Sequence, residues 1–270
     1  MTARDPATAR SLMEVAERLA DAARIETLRY FRRADLTADS KETARFDPVT
    51  IADRAAEQAM RKLLAELRPE DAILGEEFGT QAGTSGLTWV LDPIDGTRGY
   101  MSGTSTWGVL VGLVDQDGPV LGIIDQPYIG ERLCGAAGIA RITGPMGEGK
   151  LQTRPARPLS EAVIYSTFPE VGSKAEGEAF HRLASQCRLT RYGMDCYAYG
   201  LVAAGQIDLV VEAGLQTYDV VAPIAVIQAA GGVVTDWKGG PAHQGGRILA
   251  AANPAIHAEA LAILSQAPDA

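Results

Sequence analysis

Two aspartates flank a short turn-forming segment of this chain, which reads Asp92-Pro93-Ile94-Asp95. The four residues before it are β-branched, aromatic or aliphatic, and they predict a strand that ends at Asp92. Pro93 fixes its own φ and removes a backbone donor, so we expect the chain to turn here. Two carboxylates at the mouth of a strand suit a hard cation such as Mg²⁺, which prefers oxygen ligands. Because free N–H groups at the start of a following helix suit a phosphate, the segment indicates phosphoryl chemistry.

The same segment has a simpler interpretation, because aspartates are common in turns, where they cap backbone groups. Two further acidic segments favour the metal-binding interpretation. Glu76 and Glu77 directly follow a short apolar segment, residues 72–74, at the same kind of strand end. Asp219 precedes a predicted helix at residues 220–230, where a role as helix N-cap is the alternative. A site built from carboxylates alone favours Mg²⁺ or Mn²⁺ over zinc.

The composition limits the classes of protein to consider. The chain has 270 residues, of which 46% are hydrophobic and 22% charged, so it can bury a sizeable core. Its formal net charge of −9 argues against a nucleic-acid-binding surface. The three cysteines lack paired spacing, which argues against a disulfide framework or a zinc site and favours the cytoplasm. No apolar run approaches the length of a membrane span, and we expect no membrane association.

The elements that must position these acids are helices and strands of an α+β or α/β fold. Apolar residues at helical spacing predict an amphipathic helix at residues 10–33. In the second half of the chain, predicted strands alternate with helices. Residues 131–160 are rich in Gly and Pro, and this shift in composition predicts a boundary near residue 145 between domains of residues 1–145 and 146–270. The other predicted elements are strands at residues 72–74, 88–91, 106–114, 120–125, 162–166, 207–211, 232–236 and 247–251 and helices at residues 53–66, 96–102, 176–186, 197–204, 220–230 and 254–265.

Three acidic motifs together resemble a known family. Asp-Pro-Ile-Asp-Gly-Thr at residues 92–97 resembles the signature of the inositol monophosphatase superfamily, whose members are Mg²⁺-dependent, lithium-sensitive phosphatases. The segments at residues 75–77 and 218–223 resemble that family's other two metal-site motifs, in the same order and spacing. Residues 191–200 and 234–237 are most similar to the bacterial histidinol-phosphatase branch. The resemblance implies a layered αβαβα sandwich of the sugar-phosphatase type and a homodimer.

The resemblance also implies roles for individual residues. About two or three Mg²⁺ ions per site, or Mn²⁺ in their place, would be bound by five residues. The first domain would carry most of these ligands, which are Glu76, Asp92, Ile94 through its carbonyl, Asp95 and Asp219. Glu76 and Thr97 would orient or deprotonate the attacking water, with Asp53 supporting Thr97. Backbone N–H groups of Gly96 and Thr97 would hold the phosphate, and no covalent intermediate is expected.

Substrate choice is expected to lie in the second half of the chain. In the inositol-cleaving members, an acid at the position of Glu212 and a small residue at the position of Asp195 face the sugar ring. The acidic Asp195, paired with Glu212, suits a substrate that carries an amine, such as histidinol phosphate. The alternative is that Asp195 is only the N-cap of the following helix. Gln216 is predicted to be a further polar contact.

These features predict a phosphomonoester hydrolase whose partner is a small phosphorylated substrate. Histidinol-phosphate phosphatase, an enzyme of histidine biosynthesis, is the first hypothesis, and an inositol-1-phosphate or sugar-alcohol phosphatase is the second. A bisphosphate nucleotidase would need basic residues for a second phosphate, but residues 192–216 contain no Lys or Arg. A non-enzymatic role as an RNA-associated regulator is a further alternative. The complete set of predicted metal ligands and the excess of acidic over basic residues argue against it.

Overall fold

Two long helices and a small hairpin form the N-terminal part of the computed structural model, which describes residues 2–34, 38–40 and 48–268. Asp5 caps the first helix by accepting a hydrogen bond from the N–H of Ala7. The second helix begins with a capping box formed by Thr50 and Asp53. These elements are α1 (Pro6–Tyr30), β1 (Ala38–Ser40), β2 (Pro48–Thr50) and α2 (Ile51–Leu67).

A mixed sheet of eight strands follows. Its strands are β3 (Ala72–Gly75), β4 (Gly79–Gln81), β5 (Thr88–Asp95), β6 (Gly108–Asp115), β7 (Gly118–Gln126), β8 (Glu131–Ala136), β9 (Ile139–Gly144) and β10 (Gly147–Lys150), with the short helix α3 (Thr97–Ser102) after β5. Their spatial order is β10-β9-β8-β7-β6-β5-β3-β4, and β3 and β5 are the parallel pair. The parallel pairing places the ends of β3 and β5, with their acidic residues, at the same edge of the sheet.

The C-terminal part contains a second sheet, of five strands in the order β12-β11-β13-β15-β14. Its strands are β11 (Val163–Ser166), β12 (Leu189–Tyr192), β13 (Leu209–Leu215), β14 (Val233–Thr235) and β15 (Gly246–Ala251). The helices of this part are α4 (Lys174–Ala184), α5 (Asp195–Ala203), α6 (Thr217–Ala229) and α7 (Pro254–Leu264).

The helices and sheets stack in five layers, which confirms the predicted αβαβα sandwich. An apolar core joins α1 and α2 to the larger sheet, and another joins α4 and α7 to the smaller sheet. The third core lies between the two sheets and contains α5 and α6. Residues Val220 to Ile227 of α6 are all buried, as expected of a helix that is covered on every side.

A row of three glycines in the larger sheet forms the seat of α6, which we call the glycine groove. Gly112, Gly122 and Gly135 are neighbours across β6, β7 and β8. A Cβ atom on Gly122 would lie 2.2 Å from the carbonyl oxygen of Ala222, and one on Gly135 would lie 2.4 Å from the Cα of Val226. The backbone of α6 therefore rests directly on the sheet, and its N-terminus is held at a fixed height above β5.

Replacement of Gly122 by Ala tests the glycine groove. The added methyl group meets backbone atoms, which cannot swing aside, so we expect a loss of about 2–3 kcal/mol in the free energy of unfolding. Gly149→Ala on β10 is the matched control, because a Cβ there would meet only a side-chain methyl at 3.4 Å. Urea denaturation of both variants measures the difference. Equal stability of the two would show that α6 does not depend on this close contact.

Most predicted elements are found within a few residues of their predicted bounds. Residues 131–150, for which no element was predicted, form strands β8, β9 and β10, and the short strands β2, β4 and β12 were not predicted either. Helix α6 begins at Thr217, three residues before the predicted start at residue 220, so Pro223 lies inside the helix. The boundary predicted near residue 145 lies in the turn between β9 and β10. Division into two domains stays a prediction, and a boundary after Lys150 would keep both sheets whole.

Two further observations concern the cysteines and the length of the apolar helices. Its three cysteines, Cys134, Cys187 and Cys196, are all free. Among the helices in the described part of the chain, none combines the length and apolar character needed to cross a bilayer.

Candidate metal centre and substrate pocket

The end of β5 brings two of the predicted ligands together. Asp92 is buried, and its Oδ1 accepts a hydrogen bond from the N–H of Ile94 at 3.1 Å. The pairing of β5 with β6 shifts register between Asp92 and Asp95, and the strand continues to Asp95 instead of ending at Asp92. Such an irregularity re-aims side chains at the end of a strand. Both carboxylates line the same cavity.

Asp219 reaches this point from the middle layer. It lies in the first turn of α6, where its Oδ2 accepts a hydrogen bond from the N–H of Gln216 at 2.6 Å. Gln216 occupies the N-cap position, so the interpretation of Asp219 as the N-cap is wrong. Carboxylate oxygens of Asp92, Asp95 and Asp219 all lie within 4.8 Å of one another. The structure thus joins residues more than a hundred positions apart into one cluster.

The electrostatics of the cluster favour a cation. Desolvation raises the pKa of Asp92 well above its usual value, and the negative charges of Glu76, Asp95 and Asp219 raise it further. The pKa of Asp95 is raised in the same way by desolvation and by the charges of Asp195 and Asp219. Acids that repel one another at this distance, with oxygen as their only donor atom, fit a hard divalent cation such as Mg²⁺.

Glu76 lines the same cavity, at the end of β3. The turn that carries it is held by Glu57 of α2, whose carboxylate accepts hydrogen bonds from the N–H groups of Glu77 at 2.7 Å and Phe78 at 3.2 Å. Glu57 is itself buried and ion-paired with Arg61. The resemblance implies a secondary role in metal binding for Glu77, which stays a prediction, and the held backbone of Glu77 helps to position Glu76.

Thr97 and Asp53, predicted to help orient the attacking water, make hydrogen bonds to other groups. The Oγ1 of Thr97 donates to the carbonyl of Ile94 at 3.1 Å. Asp53 accepts hydrogen bonds from the N–H of Thr50 at 2.8 Å and its Oγ1 at 2.6 Å, and burial raises the pKa of Asp53 to about 7. Support of Thr97 by Asp53 and metal binding by the Ile94 carbonyl stay predictions. The resemblance implies that a loop at residues 34–46 helps to complete the metal site, and its Lys41 lies outside the described residues.

A cavity of about 650 Å³ extends from the aspartates between the two halves of the chain. Gly96 and Thr97 line it next to the metal cluster, and Asp195, Glu212 and Gln216 line it from α5, β13 and the start of α6. Every predicted substrate residue therefore faces the same space as the predicted metal ligands. The volume is that of an ordinary small-molecule site.

Asp195 is held in an unusual backbone conformation at the start of α5. Its φ is +47°, a left-handed value that Asp and Asn adopt more readily than most residues. Its Oδ2 accepts a hydrogen bond from Thr106 Oγ1 at 3.1 Å, and a Cβ on Gly96 would lie 2.7 Å from its carboxyl carbon. Met194 precedes the helix as its cap, so the N-cap interpretation of Asp195 is wrong. The next N–H, of Cys196, donates to Asp95 Oδ2 at 2.6 Å and ties α5 to the metal cluster.

Glu212 is fixed by the end of the neighbouring strand. Its Oε1 accepts hydrogen bonds from the N–H of Thr167 at 2.7 Å and Thr167 Oγ1 at 2.8 Å, and its Oε2 accepts one from Ser166 Oγ at 3.3 Å. Burial raises the pKa of Glu212 to about 7, and the negative charge of Asp195 adds to the shift. Asp195 and Glu212 thus line one cavity, and the negative charge of each disfavours ionisation of the other.

The inositol monophosphatase family matches residues 8–269 of the chain. The chain belongs to this family. Bifunctional phosphatase IMPL2 of Arabidopsis thaliana, a chloroplast protein, is 41% identical over 83% of this chain, and the match spans 64% of that protein's length, less than two thirds. A histidinol-phosphatase of Streptomyces coelicolor is 34% identical over 94% of this chain and 97% of its own length. The structure of an inositol monophosphatase from Zymomonas mobilis has a TM-score of 0.83 at 39% identity, covering 95% of this chain and 98% of that chain.

Membership of the inositol monophosphatase family supports activity as a phosphomonoesterase. The cavity also contains residues that the sequence analysis did not identify. Thr106 and Thr167 hold the two substrate-side carboxylates. Arg98 places its guanidinium over the ring of Phe168, 5.1 Å from the ring centroid, where both line the cavity. Thr167 and Phe168 directly follow β11. Glu76 was identified because it follows a predicted strand, and the same criterion could have identified these two residues.

Glu212 also gives this family member a pH-dependent stability. Its pKa is raised from 4.5 to about 7 by burial, so between these values the folded protein holds a proton that the unfolded chain has released. The contribution of this group to stability therefore falls as the pH rises through that window. We expect the free energy of unfolding of the wild type to fall from about pH 5 to pH 8. In Glu212→Gln, which cannot titrate at this position, we expect the fall over the same range to be smaller by about 2–3 kcal/mol.

Urea denaturation with a chelator present, at both pH values, measures this difference without interference from metal. Glu148→Gln, on the exposed strand β10, is the control for a simple loss of one negative charge. Identical pH dependence in the wild type and Glu212→Gln would contradict the assignment of the proton to Glu212.

Proposed function

We propose that the protein is a Mg²⁺-dependent phosphomonoester hydrolase that converts L-histidinol phosphate and water to L-histidinol and phosphate. The observation that carries the proposal is the carboxylate pair of Asp195 and Glu212 in the cavity that also contains the three clustered aspartates. An ammonium group is the natural partner of two nearby carboxylates, and histidinol phosphate carries one beside its phosphate ester.

Each end of the cavity has its own task in this proposal. Glu76, Asp92, Asp95 and Asp219, with the carbonyl of Ile94, hold the metal. Bound Mg²⁺ supplies Lewis-acid stabilisation of the negative charge on a phosphate ester.

The remaining residues at this end position the phosphate and the water. N–H groups of Gly96 and Thr97 bind phosphate oxygens, and Glu76 accepts a proton from the attacking water, which Thr97 and Asp53 help to orient. The water oxygen attacks phosphorus in line with the leaving oxygen, the ester P–O bond breaks, and the released alkoxide takes a proton from solvent to give L-histidinol. No bond forms between the protein and phosphorus.

The relatives support two candidate substrates. The Streptomyces coelicolor relative is a histidinol-phosphatase, and the Zymomonas mobilis structure is that of an inositol monophosphatase. An inositol ring offers hydroxyl groups and no cation, so a second acid at its binding site would add negative charge that the ring does not balance. The presence of Asp195 beside Glu212 therefore favours histidinol phosphate, and inositol-1-phosphate is the alternative.

Phosphate release from a matched panel, with and without Mg²⁺, tests the proposal. The panel consists of L-histidinol phosphate, inositol-1-phosphate, fructose-1,6-bisphosphate and a 3′,5′-bisphosphate nucleotide. We expect a clear preference in kcat/KM for L-histidinol phosphate, with release abolished by a chelator. Equal or faster turnover of inositol-1-phosphate would overturn the substrate assignment, and no release from any of the four would overturn the enzymatic one.

A further inference from the structure

The hydroxyl group of Tyr199 stands out in the wall of the cavity. Tyr199 is on α5 and is 4% exposed, and its ring belongs to the core between the two sheets. Its Oη is buried and has no hydrogen-bond partner among the residues that the structure describes. Because buried polar groups are normally paired, an unpaired one in a native structure calls for an explanation. Tyr199 lines the cavity, so an arriving ligand can provide the missing partner.

Tyr199 lines the cavity together with the acids of both ends. Asp95 and Asp219 line it at the metal end, and Asp195 and Glu212 line it at the substrate end. Burial raises the pKa of the phenol well above its usual value, and the negative charges of Glu212, Asp95 and Asp219 raise it further. Asp195, at the start of α5, precedes Tyr199 by four residues on the same helix.

The substrate chemistry fits this position. An ammonium group has three N–H donors and no acceptor, and the carboxylates of Asp195 and Glu212 provide acceptors for two of them. A phenolic oxygen is a neutral acceptor that adds no further negative charge to an already acidic site. We propose that Tyr199 Oη accepts a hydrogen bond from the ammonium group of the substrate, as the third acceptor beside Asp195 and Glu212. This inference rests on the proposed function, since it requires a substrate with an amine.

Tyr199→Phe tests the inference, because it removes only the hydroxyl group. The two substrates to compare are L-histidinol phosphate and 3-(imidazol-4-yl)propyl phosphate, which lacks the amine. We expect the ratio of their kcat/KM values to fall about 10- to 100-fold in the variant, the effect of losing one hydrogen bond to a charged group. The free energy of unfolding without metal or substrate should not fall, because the hydroxyl group has no partner to lose in the described part of the free protein.

Tyr197→Phe is the matched control on the same helix. The Tyr197 hydroxyl donates to Glu131 Oε2 at 2.7 Å, and Tyr197 does not line the cavity. We expect this variant to lose stability and to keep the wild-type substrate ratio, the reverse of Tyr199→Phe.

The outcomes separate the inference from the proposed function. A wild-type enzyme that does not prefer the amine-bearing substrate over its analogue would overturn the proposed function and this inference together. A wild-type preference that Tyr199→Phe retains in full would overturn the inference alone. A loss of stability in Tyr199→Phe, with an unchanged ratio, would show that the hydroxyl group is structural.

Discussion

Replacement of Asp95 by Asn is expected to lower kcat/KM for every phosphomonoester substrate by more than about 100-fold. Mutation of groups that only support metal ligands already lowers metal affinity or activity by about 10- to 100-fold. Asp95 belongs to the acidic cluster itself, so a larger loss is expected. Asn retains an acceptor for the N–H of Cys196, so the contact between α5 and β5 can persist. The metal-free variant should be more stable than the metal-free wild type, because one of several mutually repelling charges is gone.

Steady-state phosphate release and thermal unfolding with and without Mg²⁺ measure both effects. We expect Mg²⁺ to raise the melting temperature of the wild type, since a ligand that binds only the folded state stabilises it, and to raise that of Asp95→Asn less. Asp117→Asn makes the same chemical change at an exposed position in the turn after β6 and should behave as the wild type. A near-normal kcat/KM in Asp95→Asn would contradict the assignment of Asp95 as a metal ligand.

Replacement of Asp195 by Asn is expected to change substrate choice more than catalysis. Loss of one charged partner of an ammonium group costs about 1.5–3 kcal/mol, so kcat/KM for L-histidinol phosphate should fall about 10- to 150-fold. For inositol-1-phosphate we expect no loss, because that substrate has no cation to bind. Asn is preferred to Ala here because it tolerates the left-handed backbone at this position and can still accept from Thr106.

The comparison of the two substrates provides the internal control for Asp195→Asn. Damage to the fold or to the metal cluster would lower kcat/KM for both substrates equally, and that result would contradict a specific role in binding the amine. Circular dichroism and the Mg²⁺-dependent rise in melting temperature show independently that the variant is folded and still binds metal.

The acidic cluster could be predicted because each of its parts is local in sequence. Pro93 marked the end of the apolar strand segment before Asp92 and Asp95, and Glu76 directly follows another apolar strand, so strand patterns and the proline were enough to find these acids, although the expected turn at Pro93 is a strand irregularity. Their convergence with Asp219 was expected only through the resemblance of three motifs, since no periodic pattern relates residues so far apart.

The contacts of the supporting residues could not be predicted in the same way. Thr167 holds Glu212 because β11 and β13 are parallel neighbours, and a single sequence does not give strand order. Tyr199 looks like an ordinary core residue until the lack of a partner for its hydroxyl group is seen in three dimensions. Strands β8, β9 and β10 were missed because the glycines of this segment, with its prolines, indicated a domain boundary. One of these, Gly135, instead provides space for α6.

The glycine groove has an evolutionary consequence. Under the proposed function, a side chain at Gly112, Gly122 or Gly135 would displace α6 and with it the metal ligand Asp219, so these glycines would matter for catalysis without touching the site. A lineage that acquires a new substrate can exchange Asp195 and leave the groove intact. A lineage that abandons catalysis would be free to lose its aspartates but would still need the groove, because the core between the sheets is built on it. In such non-catalytic descendants, the acids should diverge long before the glycines do.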